Sequence, residues 1–139
     1  MKQKPLAKKD FETLSEFRFQ MRRFERFSEQ AAQAEGITPQ QYLLLLHVKG
    51  VVGRDWAAVG ELAERLQLKP HGAVALVTRC EMLGLVERRT GTADRRLVEV
   101  HLLPEGERLL QRLAAMHRAE LKSLDGVFEV PRIDWPGSP

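Results

Sequence analysis

Cysteine occurs once in this 139-residue chain, at Cys80, tyrosine once, at Tyr42, and aromatic residues make up only 6% of the total. A lone cysteine excludes an internal disulfide and fits a reducing compartment, so the expected location is the cytoplasm. No apolar run approaches the roughly 20 residues that a membrane-spanning helix needs, and no membrane partner is expected. The four histidines, His47, His71, His101 and His117, stand far apart, and neither HxxxH nor CxxC spacing occurs. No metal site is expected from such a pattern; His117 and Glu120, one helical turn apart, read as a solvated pair. No glycine-rich phosphate loop is present, and no serine or cysteine sits in a nucleophile motif. Catalytic residues and cofactors are therefore not expected, and the chain does not read as an enzyme. Residues 1–9 are basic but carry no apolar segment behind them, so they do not form a secretory signal.

What is present centres on residues 59–103. Val59, Leu62, Ala63 and Leu66 recur at steps of three and four, which puts them on one face of a helix with Glu61, Glu64 and Arg65 outside. After a short turn, Pro70 suits the first position of a second helix, where its missing N–H costs nothing. Ala73, Leu76, Val77, Cys80 and Leu83 form the buried stripe of that helix, with Cys80 as a small core residue, and Gly84 ends it. The period then changes to two in residues 85–89 and again in 97–103, the pattern of two strands. Between them Thr90-Gly91-Thr92-Ala93-Asp94-Arg95-Arg96 suits a hairpin loop that projects cations. Two helices joined by a short turn and followed by a hairpin make the outline of a winged helix-turn-helix, which points to DNA.

The charge distribution agrees. Residues 65–101 carry seven Lys and Arg against four Asp and Glu, which accounts for the whole net charge of +3. A neutral body with one positive segment suits phosphate binding, since sequence-independent affinity comes from displaced counterions. Arg88, Arg89, Arg95 and Arg96 all fall on the hairpin.

Two long amphipathic helices flank this module. The first spans residues 10–35, with Asp10 as N-cap, a near-heptad seam of Leu14, Phe17, Met21, Phe24 and Ala31 widened by Phe11 and Phe27, and Gly36 as its stop. The second spans 104–124, with acidic residues in its first turn and a stripe of Leu109, Leu110, Leu113, Met116, Leu121 and Leu124. Between the first helix and the module, Thr38 caps a core helix that is apolar nearly all round and ends at Gly50; residues 51–57 leave room for a short strand added to the hairpin sheet. The prolines at 131, 136 and 139 make residues 125–139 an irregular tail. The expected architecture is thus mainly α (α+β): a flexible basic 1–9, a single domain over 10–124 whose winged helix-turn-helix occupies 38–103, and the tail. The terminal helices expose seams that suit pairing with a second copy, and a homodimer would read two half-sites roughly 34 Å apart on duplex DNA.

In order and spacing, Thr38-Pro39-Gln40-Gln41-Tyr42, residues 59–66, Leu83-Gly84-Leu85-Val86-Glu87-Arg88, Asp94-Arg95-Arg96 and Leu103-Pro104-Glu105-Gly106-Glu107 resemble the MarR family of bacterial transcription regulators. The resemblance covers about residues 11–124. It implies a recognition helix over 69–83 in the major groove, with Lys69, His71, Gly72, Val74, Ala75, Thr78 and Arg79 as the residues that meet DNA. It maps the family's Asp-x-Arg wing pair onto Asp94 and Arg96, so that Arg96 or Arg95 enters the minor groove while Asp94 orients it. The family often has arginine where Ala75 stands, so direct base readout is expected to be thin. The resemblance further implies a repressor that responds to a small aromatic effector held near Phe24, Tyr42, Leu46, His47 and Trp56. A further helix usual in the family is replaced here by the proline-bearing tail. The alternative reading is a winged-helix module that binds protein without specific DNA binding.

Overall fold

A computed structural model describes residues 4–133; the expectations for residues 1–3 and 134–139 lie outside the described residues. Helix α1 (Lys8–Ala34) is followed by α2 (Pro39–Lys49), strand β1 (Trp56–Ala58), helices α3 (Val59–Leu66) and α4 (Pro70–Met82), strands β2 (Val86–Thr90) and β3 (Val98–Leu102), and helix α5 (Pro104–Ser123). The sheet has the order β1-β3-β2 and is antiparallel throughout. Residues 56–58 thus do add a strand to the hairpin, pairing Trp56 with His101 and Ala58 with Glu99. The mainly helical winged helix-turn-helix read from the periodicity is the fold of the chain.

Helix α2 sits at the centre. Its N-terminus closes with a capping box in which Thr38 Oγ1 accepts the Gln41 N–H at 3.1 Å and Gln41 Oε1 accepts the Thr38 N–H at 2.9 Å. Leu44, Leu45 and Val48 are fully buried against Leu62 of α3, Val77 and Cys80 of α4, Val86 and Val100 of the sheet, and Leu113 of α5. Truncating such a residue to alanine costs about 3 kcal/mol through lost transfer energy and the cavity left behind. The turn between α3 and α4 passes through Gln67 in the left-handed region, at φ 54°, and closes by the Leu68 N–H donating to Ala63 C=O at 2.8 Å.

Three local expectations change. The first helix begins at Lys8, with Ala7 as the N-cap; Asp10 instead occupies the third position and accepts the Ala7 N–H at 2.9 Å. Leu83 leaves the buried stripe of α4 because it is the C-cap: the chain turns through Gly84 at φ 73°, and Leu85 enters the core in its place. On α5 the stripe continues from Leu113 to His117, one turn on, while Met116 stays exposed.

Leu85 joins three elements. Its N–H donates to the Cys80 carbonyl at 3.0 Å, and its own carbonyl accepts the Leu103 N–H at 2.9 Å, just before α5. Gly106, in the first turn of α5, lies against the same carbonyl: a Cβ there would stand 2.1 Å from the Leu85 oxygen. The irregular tail folds back along α1, where Phe128 stacks on Phe17 with centroids 5.3 Å apart.

Two glycine substitutions should move stability in opposite directions. Gly106→Ala should lower the unfolding free energy by about 2 kcal/mol, because the backbone must shift to admit the methyl group. Gly60→Ala, in α3 with open space around its Cβ position, should be neutral or raise it by up to about 1 kcal/mol through helix propensity. Urea denaturation midpoints of both variants against the parent check the pair.

Candidate nucleic-acid interface

Helix α4 buries Ala73, Leu76, Val77 and Cys80, and by the same periodicity turns His71, Val74, Ala75, Thr78 and Arg79 to the surface, with Lys69 at its N-cap. Gly72 lies half-buried between the two faces. The exposed face is thin in free polar groups. Thr78 donates its hydroxyl to the Val74 carbonyl at 3.0 Å, and Val74 and Ala75 offer only apolar contact. Lys69, His71 and Arg79 remain as the cationic or hydrogen-bonding side chains of this helix.

The wing is built on one glycine. Gly91 is buried, its N–H donates to Leu97 C=O at 3.0 Å, and a Cβ there would fall 2.3 Å from the Asp94 carbonyl oxygen. Inside this tight loop Asp94 Oδ1 accepts the Arg96 backbone N–H at 3.0 Å and its Nε–H at 3.1 Å, while Oδ2 accepts from Nη2 at 3.1 Å. The fork-on-fork pair holds the Asp94 carboxyl below its ordinary value, through the Arg96 side chain first and its amide second. Arg96 is nonetheless 91% exposed at its side chain. Asp94 therefore aims a guanidinium into solvent. Arg95 beside it is exposed as well.

The other two hairpin arginines are engaged within the protein. Arg89 pairs with Glu87, and its Nη1 lies 3.4 Å from His101 Nδ1. Arg88 reaches back to α4, where it pairs with Glu81 and donates to the Val74 carbonyl and to Thr78 Oγ1, both at 2.9 Å. The sequence places four cations on the hairpin: Arg89, with its side chain 53% exposed, Arg95 and Arg96 face outward, and Arg88 turns back to α4.

The five effector candidates do not converge. Phe24 and Tyr42 meet at His117, whose imidazole stacks on Tyr42 at 4.8 Å and meets Phe24 and Phe27 edge-on. His47 lines a separate cleft of about 250 Å³ with Glu61, Leu62 and Arg65. Burial, then the Arg65 charge, lowers its pKa and favours the neutral ring. Trp56 stacks on His101 and lies under the Arg54 guanidinium at 3.9 Å, and Leu46 is exposed.

His117 is the residue that sequence reasoning missed. It is buried, with Nδ1 2.7 Å from the Leu113 carbonyl and Nε2 2.9 Å from Ser28 Oγ. A carbonyl only accepts, so Nδ1 carries the proton and Nε2 takes the Ser28 hydroxyl. The step of four from Leu113 was the available signal. Among the described residues no group of three His, Cys, Asp or Glu side chains could hold a metal ion, and no helix is long and apolar enough to cross a membrane.

Residues 35–97 match the model of the MarR family. Two curated relatives come from Bacillus subtilis (strain 168). YsmB, described as an uncharacterized HTH-type transcriptional regulator, is 34% identical over 94 residues, covering 63% of this chain and 58% of YsmB. MdtR, described as an HTH-type transcriptional repressor, is 29% identical over 90 residues, covering 65% of this chain and 56% of MdtR. The chain thus spans little more than half the length of these relatives. Among solved structures, AbsC of Streptomyces coelicolor, a MarR family transcriptional regulator, superposes with a TM-score of 0.72 at 22% identity, covering 92% of this chain and 86% of AbsC.

Two solution properties follow from this geometry. Burial pushes the Cys80 thiol up to about 11, so iodoacetamide at pH 8 should leave the folded chain nearly unlabelled and modify it fully in urea, as mass spectrometry would read. Asp94 is a depressed carboxylate, so its bonds to Arg96 are present above the ordinary Asp range and fail only as pH falls through the lowered value. The NMR shifts of the Arg96 amide and Nε–H should accordingly change as pH falls below 4.

Proposed function

Because the chain belongs to the MarR family of transcription regulators, we propose that it binds duplex DNA as a homodimer in the cytoplasm and represses transcription from the site it occupies. The observation that carries this reading is the Asp94–Arg96 fork, which presents an oriented, exposed guanidinium on the same hairpin that leans on α4. A narrow minor groove concentrates negative potential around such a group. Lys69, His71 and Arg79 add contacts from α4, while Val74 and Ala75 suit thymine methyl groups. The sparse polar face of α4 assigns most of the affinity to wing and phosphate contacts, with modest base specificity.

Dimerisation rests on apolar side chains left uncovered on the long helices, namely Phe11 and Phe19 of α1 and Leu121 of α5. Repression follows the description of MdtR and the simplest consequence of an occupied promoter. An aromatic effector would enter the α1–α2–α5 junction by displacing His117 from Phe24, Phe27 and Tyr42. Protein binding through the module is the second reading; it is favoured by the apolar end of α4, where Met82 is 82% exposed beside Leu83.

The reading is tested by fluorescence anisotropy against random-sequence duplex at 50 and 200 mM salt. Affinity should fall steeply with salt, and Arg95→Ala/Arg96→Ala should lower the logarithmic salt slope of the dimer by about 3.6, at roughly 0.9 for each of the four cations lost. Salt-independent binding, or none at 50 mM, sinks the DNA reading and favours the protein partner. Sedimentation should give a dimer that Phe19→Asp/Leu121→Asp converts to monomer; a parent chain that already sediments as a monomer overturns the dimer.

A further inference from the structure

Of the four hairpin arginines, Arg88 alone bridges the wing to the helix that faces DNA. Its backbone N–H donates to Glu81 Oε2 at 3.2 Å, its Nη1 pairs with Glu81, and its Nη2 donates to the Val74 carbonyl and to Thr78 Oγ1, each at 2.9 Å. The acceptors come from Val74, Thr78 and Glu81, three residues spaced by four and three along one flank of α4. Both hydrogens of Nη2 are committed to α4, and the Thr78 hydroxyl that accepts one of them is itself donated to Val74. Main chain and side chain of one β2 residue therefore grip two turns of α4 at once.

We infer that Arg88 is a positioning residue: with Glu81 it locks the wing to α4 at a fixed angle and spacing, so that the wing and the helix engage DNA in one register. The inference rests on the DNA-binding reading and assigns Arg88 a different role from Arg95 and Arg96. Phosphate contacts supply affinity for any sequence, whereas base readout requires both elements to be placed together. Loss of the lock should lower discrimination between sequences and leave the counterion term intact. The planar fork is needed, because a lysine ammonium on an unbranched stem cannot satisfy a carboxylate, a carbonyl and a hydroxyl in this fixed arrangement.

The test uses Arg88→Lys and Glu81→Ala in the full chain, with the duplex that the parent protein selects from a random pool. For both variants the ratio of selected to random-sequence affinity should fall by about tenfold, the size of one lost base pair of recognition. The salt slope should keep the parent value, and the double variant should cost no more than either single one, since the two residues act as a unit. The inference is overturned if Arg88→Lys retains full discrimination. It is also overturned if Arg88→Ala lowers the salt slope of the dimer by about 1.8, roughly 0.9 for each protomer, which marks a phosphate contact, or if Glu81→Ala tightens binding by freeing the guanidinium. A DNA-free arm separates this inference from the reading beneath it. Hydrogen exchange of the Arg88 amide should accelerate at least tenfold in Glu81→Ala while core amides of α2 keep parent rates, which checks that the variant is folded. Unchanged exchange at Arg88 removes the lock whatever the DNA result; a parent chain that binds no DNA defeats the proposed function alone.

Discussion

The placement of the wing against α4 depends on the peptide of Leu85. Its N–H closes the end of α4 on the Cys80 carbonyl, and its carbonyl receives the Leu103 N–H where β3 gives way to α5. Gly106 allows α5 to approach that carbonyl closer than any side-chain-bearing residue could. A buried backbone group left without its partner costs as much as a lost hydrogen bond, so the three elements meet at this point in one arrangement. The chain direction into β2 then follows, and with it the reach of Arg88 toward Glu81. Backbone bonding at one residue thus sets the geometry that side-chain bonding holds several residues further along the hairpin.

Electrostatics divides the surface that this frame presents. Seven cations fall within residues 65–101, but acids on the same and adjacent elements decide what each one does. Glu81 turns Arg88 toward α4, whereas Glu87 and Asp94 bind Arg89 and Arg96 in ways that leave both facing outward. Arg88 differs because its acid lies seven residues back on α4, whereas Arg89 and Arg96 pair with acids two residues away on the hairpin itself. Surface ion pairs of this kind add little to stability; the value of Asp94 lies in direction.

Helix α2 links the two ends of the molecule. On one side Tyr42 stacks on His117 of α5, which in turn touches Phe24, Phe27 and Ser28 of α1. On the other, Leu44, Leu45 and Val48 pack into the core shared with α3, α4 and the sheet. The imidazole fills the junction with an aromatic ring whose polar atoms both have partners, so a buried polar residue is accommodated without an orphaned group. Close packing on both faces means that a shift of α1 against α5 is felt by α2 and passed toward the helix-turn-helix.

Apolar periodicity determined the element order by itself. Residues 59–66, 70–82 and the two strands follow from local spacing, and the Thr38 capping box and the Gly91 and Asp94 turn chemistry are written within a few positions of one another. Such features involve neighbours in the chain, and the sequence displays neighbours directly. Tertiary structure decided what depends on distant partners. Leu83 is released from the stripe of α4 by the turn at Gly84, and His117 is drawn into the core because Ser28 and Tyr42 happen to face it. The five expected effector residues divide among four places, since helical phase alone does not say which faces meet. Arg88 and Arg96 look alike on the hairpin, yet one is bound across to α4 and the other aimed outward, because a charge takes its role from the acid that the fold brings within reach of it.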